Sequence, residues 1–337
     1  MLPKQFTQLS LRSLMQSHFH PIQLNEQLFQ QSNYEENIQT LRIKPNPIPL
    51  RPIHEPGAVA AVDTSTMKIG DTSAGIVLAI RGANVWKQNE NYRYVRLGPF
   101  IFHVTEENKN EVYNALENSY FQSTRSLNHQ NAPTILQMPM RIATLLERWQ
   151  QSVLAKTIEK GLILFDGSLT AGTFDTPIHR MREILCDSRN KGNVVLAFSK
   201  MTNLRVHGCL ITEFRLKRNP PYLLETVGLR SKPPMVTLGA VYVAKLSKGS
   251  CSFRLDIDQE VSSELRIEAV ERLLASDLIA QSYPETLRLA HILCTFTANE
   301  VLAMQHFITR KCGLKIINRP DMHRLLFGPF GKGESYS

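Results

Sequence analysis

Three short runs of the sequence are apolar at every position, and they limit the folds that this chain can adopt. The runs cover residues 58–62, 162–165 and 194–198 and are too short to form helices. A strand that is apolar on both faces must be buried on both faces, as in the centre of a sheet that helices cover. Because segments with helical periodicity lie between the runs, the pattern predicts an α/β fold with a mixed central sheet flanked by helices.

The other elements are predicted from hydrophobic periodicity and turn residues. Further strands are expected over 75–80, 92–97, 236–244 and 252–257, the first two extending the run at 58–62 as a meander. Helices are expected over 106–119, 140–158, 177–187 and 263–274. One last long helix is expected to begin after Tyr283-Pro284 and to end near Lys311, since proline is favoured in a first helical turn.

We predict three regions along the chain. Residues 1–56 combine scattered apolar anchors with a proline-rich connector, which predicts an N-terminal helical extension that packs on another surface. Residues 57–327 form the predicted folded domain. Within that domain the basic, proline-rich stretch 217–234 is predicted to be an exposed excursion, and the tail 328–337 is predicted to be disordered.

Charge and cysteine content limit the classes of partner and compartment. The formal net charge is +9, which favours a polyanionic partner such as nucleic acid or an anionic membrane surface. The five cysteines are an odd number without C-x-x-C spacing, so neither a disulfide framework nor a structural zinc site is expected. No run approaches the length of a membrane span and the N-terminus lacks an apolar signal core, so we predict a soluble cytoplasmic protein.

Two of the apolar runs end in a carboxylate that small polar residues follow. Asp63 ends the first run in Val-Asp-Thr-Ser, and Asp166 ends the second in Phe-Asp-Gly-Ser. A carboxylate at the mouth of a buried strand needs a hydrogen-bond donor or a cation. If the two strands are neighbours, both carboxylates converge on one point, a common way to hold Mg²⁺ or Mn²⁺. Either acid could instead cap the turn that follows it.

Four motifs in order along the chain resemble the NurA nuclease family. They are the Val-Asp-Thr-Ser strand, the helix with Glu147 before Leu-Phe-Asp-Gly-Ser-Leu, the Phe-Ser-Lys strand end, and the late Tyr-Pro-x-x-Leu-x-x-Ala-His helix. The resemblance covers roughly residues 58–310 and implies an RNase H-like fold for the predicted domain. It implies a Mn²⁺-dependent DNA nuclease, both a single-strand endonuclease and a 5′–3′ exonuclease, acting in double-strand break end resection. It also implies a homodimer that works with a HerA-like hexameric ATPase on single-stranded DNA and duplex ends.

The resemblance assigns catalytic roles to five residues. Asp63 and Asp166 correspond to the ligands on the first and second strands, and Glu147 to the acidic helix position between them. His291 corresponds to the late-helix histidine and Tyr283 to the tyrosine eight residues before it. The implied metal ligands are therefore Asp63, Glu147, Asp166 and His291.

The assigned chemistry is consistent with phosphodiester hydrolysis. Two divalent ions roughly 4 Å apart can activate a water, align the attack and relieve charge on the leaving oxygen. A histidine ligand such as His291 favours Mn²⁺, although Mg²⁺ remains an alternative. Tyr283 could donate to a phosphate oxygen or position the water. Glu159 is the alternative to Glu147, because the spacing from the helix acid to Asp166 is not fixed.

Each assignment has an ordinary structural alternative. Glu147 could be a solvated helix residue beside Arg148, and His291 could be a core histidine bonded to backbone. Tyr283 could be a buried anchor with a satisfied hydroxyl. Basic residues are candidate DNA contacts, with a solvated surface as the alternative: Lys200, Arg215, Lys217 and Arg218.

Other functional classes also fit the sequence. The chain has no Gly-Lys-Ser/Thr phosphate loop, so it is not itself the ATPase motor. A noncatalytic DNA-binding adaptor that feeds DNA to an ATPase is the main alternative. Another RNase H-like enzyme, such as a resolvase or an RNA-cleaving enzyme, is the third. The apolar anchors in residues 1–42 make that segment a candidate contact for a dimer or for the ATPase.

Overall fold

One large mixed sheet with helices on both faces forms the framework of the protein. The computed structural model describes residues 4–15, 41–44, 46–55, 57–121, 132–206, 209–213, 218–229, 231 and 233–317. The strands are β1 (Arg42–Ile43), β2 (Ile48–Pro49), β3 (Val59–Asp71), β4 (Gly75–Gln88), β5 (Asn91–Thr105), β6 (Leu162–Asp166), β7 (Thr170–Ala171), β8 (Val194–Ser199), β9 (Arg205–Val206), β10 (Cys209–Leu210), β11 (Tyr222–Val227), β12 (Val236–Thr237), β13 (Gly239–Lys245), β14 (Phe253–Asp258), β15 (Ile279–Ala280) and β16 (Tyr283–Pro284). The α-helices are α1 (Lys4–Met15), α2 (Lys109–Phe121), α3 (Met138–Thr157), α4 (Ile178–Asn190), α5 (Ser263–Ser276), α6 (Glu285–Cys294) and α7 (Ala298–Lys311).

The main sheet has ten strands, and its centre has the topology of RNase H-like folds. The strand order is β1-β11-β13-β14-β8-β6-β3-β4-β5, and β2 also pairs with β11. β3, β6 and β8 run parallel, whereas β3, β4 and β5 form an antiparallel meander. In the five-strand unit β5-β4-β3-β6-β8, β4 alone runs against the others. The predicted fold class is therefore confirmed.

The three apolar runs lie at the centre of the sheet, as predicted. Ala61 and Leu164 face the core under α5 and α6, whereas their chain neighbours Val62 and Phe165 face the core under α3 and α4. All four are at most 2% exposed. Burial of each larger side chain stabilises the fold by about 1.5–3 kcal/mol, which explains why these strands have no polar face.

The helices form one layer on each side of the sheet. α6 packs on β3 and β4 on one side, and α3 packs on the same two strands on the other. These two helices therefore flank the strand that carries Asp63. At the far end of the meander, the layer of α6 is continued by α1 and α7, through residues such as Leu14, Met304 and Ile308.

Two element predictions are wrong. The stretch 217–234 is not only an exposed excursion, because it contains β11, a buried strand that pairs with β13 inside the sheet. Prolines and basic residues flank the apolar centre of this stretch, and they led to the prediction of an exposed loop. The last helix is also not continuous, since α6 ends at Cys294 and α7 begins at Ala298. The break is fixed by a capping box in which Thr297 and Glu300 each bond the other's backbone N–H.

The other predicted elements are present with shifted ends, and the meander strands are much longer than predicted. α1 docks on its own sheet, where the backbone N–H of His103 donates to Ser13 Oγ at 3.1 Å. Part of the predicted connector forms β1 and β2. The rest of the N-terminal extension and the tail 328–337 fall largely outside the described residues, so the domain limits stay predictions. Within the described part, no helix combines the length and hydropathy needed to span a bilayer.

Candidate metal centre

Asp63 and Asp166 lie side by side on neighbouring parallel strands. Val62 of β3 is in register with Phe165 of β6, so the next residue on each strand is one of the two aspartates. Adjacent strands are about 4.8 Å apart, and in-register side chains share a face of the sheet. β6 ends at Asp166 while β3 continues, so the two carboxylates lie where the strands separate.

His291 reaches the same point from α6. Its Nδ1 is 2.7 Å from Asp63 Oδ2, and the backbone N–H of Thr64 donates to Asp63 Oδ1 at 2.7 Å. Asp63 is buried, whereas the His291 side chain is half exposed. Burial raises the pKa of Asp63 and the charge of Asp166 raises it further, while the His291 and Thr64 contacts lower it. His291 is therefore a partner of the acidic pair and not a core histidine bonded to backbone.

Cys294 also belongs to this cluster, although it was not among the predicted site residues. It lies one helical turn after His291 and is fully buried. The ligating atoms of Asp63, His291 and Cys294 all lie within 4.8 Å of one another. Burial and the Asp63 carboxylate raise the pKa of the thiol, so it is protonated when no metal is bound. The His-x-x-Cys spacing on a helix was the available sequence signal.

Lys200 and Tyr283 complete the side of the centre nearest Asp166. Lys200 Nζ donates to Asp166 Oδ2 at 2.8 Å and lies 5.6 Å from the centroid of the Tyr283 ring. Tyr283 is 9% exposed, and its hydroxyl has no hydrogen-bond partner among the described residues. Burial and the charges of Asp166 and Asp63 raise the pKa of this hydroxyl. It is thus a protonated donor without an acceptor in the described part of the chain, a costly state that an incoming oxygen ligand would relieve.

Glu147 comes from α3, the helix on the opposite side of the sheet. Burial raises its pKa to about 7; Arg148 opposes the shift, and the charges of Asp63 and Asp166 add to it. Gln151 Nε2 donates to its Oε1 at 2.9 Å. Glu147 is therefore not a solvated helix residue, and it shares the electrostatic field of the two aspartates.

The alternative acid, Glu159, does not belong to this centre. It lies just before the amino end of β6, whereas Asp166 is at the carboxyl end. Its exposed carboxylate accepts a hydrogen bond from Lys191 Nζ at 2.7 Å, and this contact lowers the pKa of Glu159. The contrast between two acids of the same region makes Glu159 a matched control for Glu147.

A buried glutamine, which sequence reasoning missed, fixes α3 against the strand of Asp63. Gln150 is fully buried, accepts from Thr64 Oγ1 at 3.0 Å and donates to Asn84 Oδ1 at 2.6 Å. A Cβ at Gly82 would lie 2.4 Å from Gln150 Oε1, so a larger residue on β4 would displace the side-chain amide of Gln150. These hydrogen bonds join α3, which carries Glu147, to β3 next to Asp63.

The structure places only part of the predicted DNA-contact set. Lys200 lies in the centre itself, and Arg218 is exposed. Arg215 and Lys217 lie outside the described residues.

The donor set fits a divalent cation. The carboxylates of Asp63 and Asp166 and the imidazole of His291 converge from β3, β6 and α6. The carboxyl group of Glu147 is close enough for the charges of the two aspartates to raise its pKa. The Lys200–Asp166 ion pair neutralises negative charge that a cation would also neutralise, and His291 Nδ1 contacts the Asp63 oxygen that a cation would bind. The Tyr283 hydroxyl, which no described residue bonds, adds a donor for an oxygen ligand of such a cation.

These features define an RNase H-like α/β protein with an acidic centre at the end of its central parallel strands. The sequence matches no protein-family model and no curated protein. Among solved structures, the NurA nuclease from Sulfolobus solfataricus is similar, with a TM-score of 0.51 and 14% identity over 79% of this chain and 88% of that chain. A structure of NurA bound to dAMP and manganese has a TM-score of 0.44 and 10% identity, over 77% of this chain and 90% of that chain. The fold is therefore NurA-like, as the sequence motifs predict.

Proposed function

We propose that the protein is a metal-dependent nuclease that hydrolyses phosphodiester bonds of DNA. The observation that carries the proposal is the convergence of Asp63 and Asp166 at one strand end, with His291 2.7 Å from Asp63. Asp63, Asp166 and His291 would hold a divalent ion, and Glu147 would complete the set. When bound, the ion would polarise the phosphate and lower the pKa of a water. The likeness of the fold to a NurA nuclease supports this class of function.

The remaining residues of the centre have defined tasks in this proposal. Tyr283 keeps its proton and donates it in a hydrogen bond to a phosphate oxygen. Lys200, which neutralises Asp166 in the metal-free protein, is free to contact the DNA phosphate once a cation takes over that role. The exposed edge of His291 leaves the centre open to solvent and to a polymeric substrate.

We further propose the finer activity that the sequence motifs imply. The preferred ion is Mn²⁺, with two ions per site and Mg²⁺ as a weaker substitute. The enzyme acts as a single-strand endonuclease and a 5′–3′ exonuclease in double-strand break end resection. The imidazole ligand supports the preference for Mn²⁺ over Mg²⁺, since first-row transition metals accept nitrogen donors more readily than Mg²⁺ does. All five cysteines are free, consistent with a reducing cytoplasm.

Cleavage assays on end-labelled DNA test the proposed activity. Purified protein with Mn²⁺ should degrade 5′- and 3′-labelled single strands and duplex ends, and EDTA should stop it. Asp63→Asn and Asp166→Asn should abolish cleavage while circular dichroism shows a retained fold. Glu147→Gln should be strongly impaired, and Glu159→Gln should cleave like the wild type. Cleavage that survives both aspartate changes would remove the site assignment, and DNA binding without any cleavage would favour the adaptor.

We also propose a homodimer that associates with a HerA-like hexameric ATPase. Apolar side chains on the outer surface of α1 and α7 support an assembly surface: Met15 is 80% exposed, Leu302 is 62% exposed and Phe307 is 50% exposed. Light scattering of the wild type and of a Leu302→Glu, Phe307→Glu double variant tests this surface. The wild type should be dimeric and the variant monomeric; a monomeric wild type contradicts the dimer.

A further inference from the structure

We propose that Cys294 makes this centre a second, competing site for thiophilic divalent ions such as Zn²⁺, held by Asp63, His291 and Cys294. Occupation of this site would block the hard-ion site that hydrolysis uses, because both sites need Asp63 and His291. The inference deepens the proposed nuclease function and rests on it for the inhibitory effect. Metal binding through sulfur does not depend on that function.

The geometry of α6 supports a three-ligand site. His291 and Cys294 are three residues apart, so their side chains share one face of the helix, the face toward β3. The ligating atoms of the two residues and of Asp63 lie within 4.8 Å of one another. Tetrahedral Zn²⁺ has bonds of about 2.0 Å to nitrogen and oxygen and 2.3 Å to sulfur, which separates ligand atoms by roughly 3.3–3.5 Å. The Asp63–His291 pair at 2.7 Å would need to open by well under 1 Å.

Ligand chemistry separates the two sites around Asp63. On the side of β6, Asp166 contributes oxygen, which Mg²⁺ and Mn²⁺ prefer. On the side of α6, Cys294 adds sulfur to the shared His291 nitrogen, a donor pair that Zn²⁺ and Co²⁺ accept readily. Cys294 Sγ lies 3.2 Å from the carbonyl oxygen of His291 and would release its proton to solvent as the metal–sulfur bond forms.

The structure also leaves a route of access to the site and a position for a fourth ligand. The His291 side chain is 53% exposed, so an ion can reach the ring before it meets the buried thiol. A three-residue site leaves a position for water. The hydroxyl of Tyr283 is near the charges of Asp63 and Asp166 and has no partner among the residues that the structure describes, so it is a donor for an oxygen ligand in this centre.

Cobalt spectroscopy tests the site without relying on nuclease activity. The metal-free full chain is titrated with Co²⁺, and the near-ultraviolet charge-transfer band of a cobalt–thiolate bond is recorded. The wild type should show the band, excess Zn²⁺ should remove it, and Cys294→Ser and Cys294→Ala should lack it. Cys251→Ser, which changes a partly exposed thiol elsewhere, should keep it. A band that is absent from the wild type or persists in both Cys294 variants overturns the proposal.

Inhibition of Mn²⁺-dependent cleavage then tests the competition. Zn²⁺ should inhibit the wild type, and the half-inhibitory concentration, measured against each variant's own uninhibited rate, should rise at least tenfold in Cys294→Ser. An unchanged value overturns the inhibitory part of the proposal. If neither the wild type nor any variant cleaves DNA but the cobalt band depends on Cys294, the nuclease proposal fails while the thiophilic site stands.

Discussion

At the scale of single residues, the centre is defined by acids whose surroundings differ although their sequence contexts look alike. Glu147 and Glu159 are both acids between the start of α3 and the start of β6. Glu147 is mostly buried, with 19% of its side chain exposed, and the charges of Asp63 and Asp166 raise its pKa. Glu159 is exposed and paired with Lys191. From the sequence, both residues were candidates for the acidic helix position of the centre, because helical spacing does not show which turn of the helix meets the strand ends.

Glu147 should make the stability of the metal-free protein depend on pH. Its pKa is raised from 4.5 to about 7, so the unfolded chain loses this proton at lower pH than the folded protein does. Stability should therefore fall as the pH rises from about 4.5 to 7 and then level off, by an amount of up to roughly 3 kcal/mol. Urea unfolding in EDTA at pH 5 and pH 8 measures the fall.

Two comparisons isolate the contribution of Glu147. Glu147→Gln should remove most of the loss of stability between pH 5 and pH 8, although Asp63, whose pKa is also raised, should leave a remainder. Glu159→Gln should leave the loss unchanged. Saturating Mn²⁺ should also reduce the pH dependence of the wild type's free energy of unfolding, because a cation stabilises the ionised carboxylate. An equal loss of stability between pH 5 and pH 8 in the wild type and in Glu147→Gln would contradict the environment assigned to the Glu147 carboxyl.

At the scale of elements, the strands were easier to predict than the helix ends and the polar contacts between layers. The three apolar runs predicted the central strands because burial on both faces leaves no room for polar residues. β11 was missed because prolines and basic residues flank its buried centre. The break between α6 and α7 was missed although the sequence contains its signal, the Thr-x-x-Glu capping motif formed by Thr297 and Glu300.

The junction between α6 and α7 should depend on Arg81. Its buried guanidinium lies 4.4 Å from the centroid of the Phe296 ring, donates to the Thr295 carbonyl at 3.1 Å and contacts Glu300 at 2.7 Å. This contact holds the pKa of Glu300 at about 2. Arg81→Met should lower the free energy of unfolding by about 2–3 kcal/mol, measured in urea, because polar groups lose their partner.

Arg96 offers a matched control for Arg81. Arg96 Nη2 lies 3.3 Å from the same Glu300 oxygen, but its side chain is partly exposed. Arg96→Met should therefore change stability by less than about 1 kcal/mol. Because the junction follows the helix that carries His291, Arg81→Met should also weaken Mn²⁺ binding by calorimetry. Equal effects of the two substitutions would mean that Arg81 does not hold the junction.

At the scale of the whole molecule, the sheet brings together residues that are far apart in the chain. Asp63, Glu147, Asp166 and His291 come from two strands and from helices on opposite faces of the sheet. The two strand-end acids were predictable from the residues alone, because each ends an apolar run. The contacts of Lys200 with Asp166 and of Cys294 with the Asp63–His291 pair were not, because they depend on how β8 and α6 meet those strands in three dimensions.

Binding of DNA by the whole molecule should depend strongly on salt, and Lys200 should account for part of that dependence. The chain has a formal net charge of +9, and each phosphate that is neutralised releases counterions. With Ca²⁺ in place of Mn²⁺ to prevent cleavage, Lys200→Met should weaken binding of single-stranded DNA. It should also reduce the slope of log K against log salt by about 0.7. Lys191→Met is the control, since Lys191 pairs with Glu159 at the other end of β6. A slope that falls equally in both variants would show that Lys200 adds only to the general charge, whereas a fall confined to Lys200→Met locates the path of the DNA over Asp166.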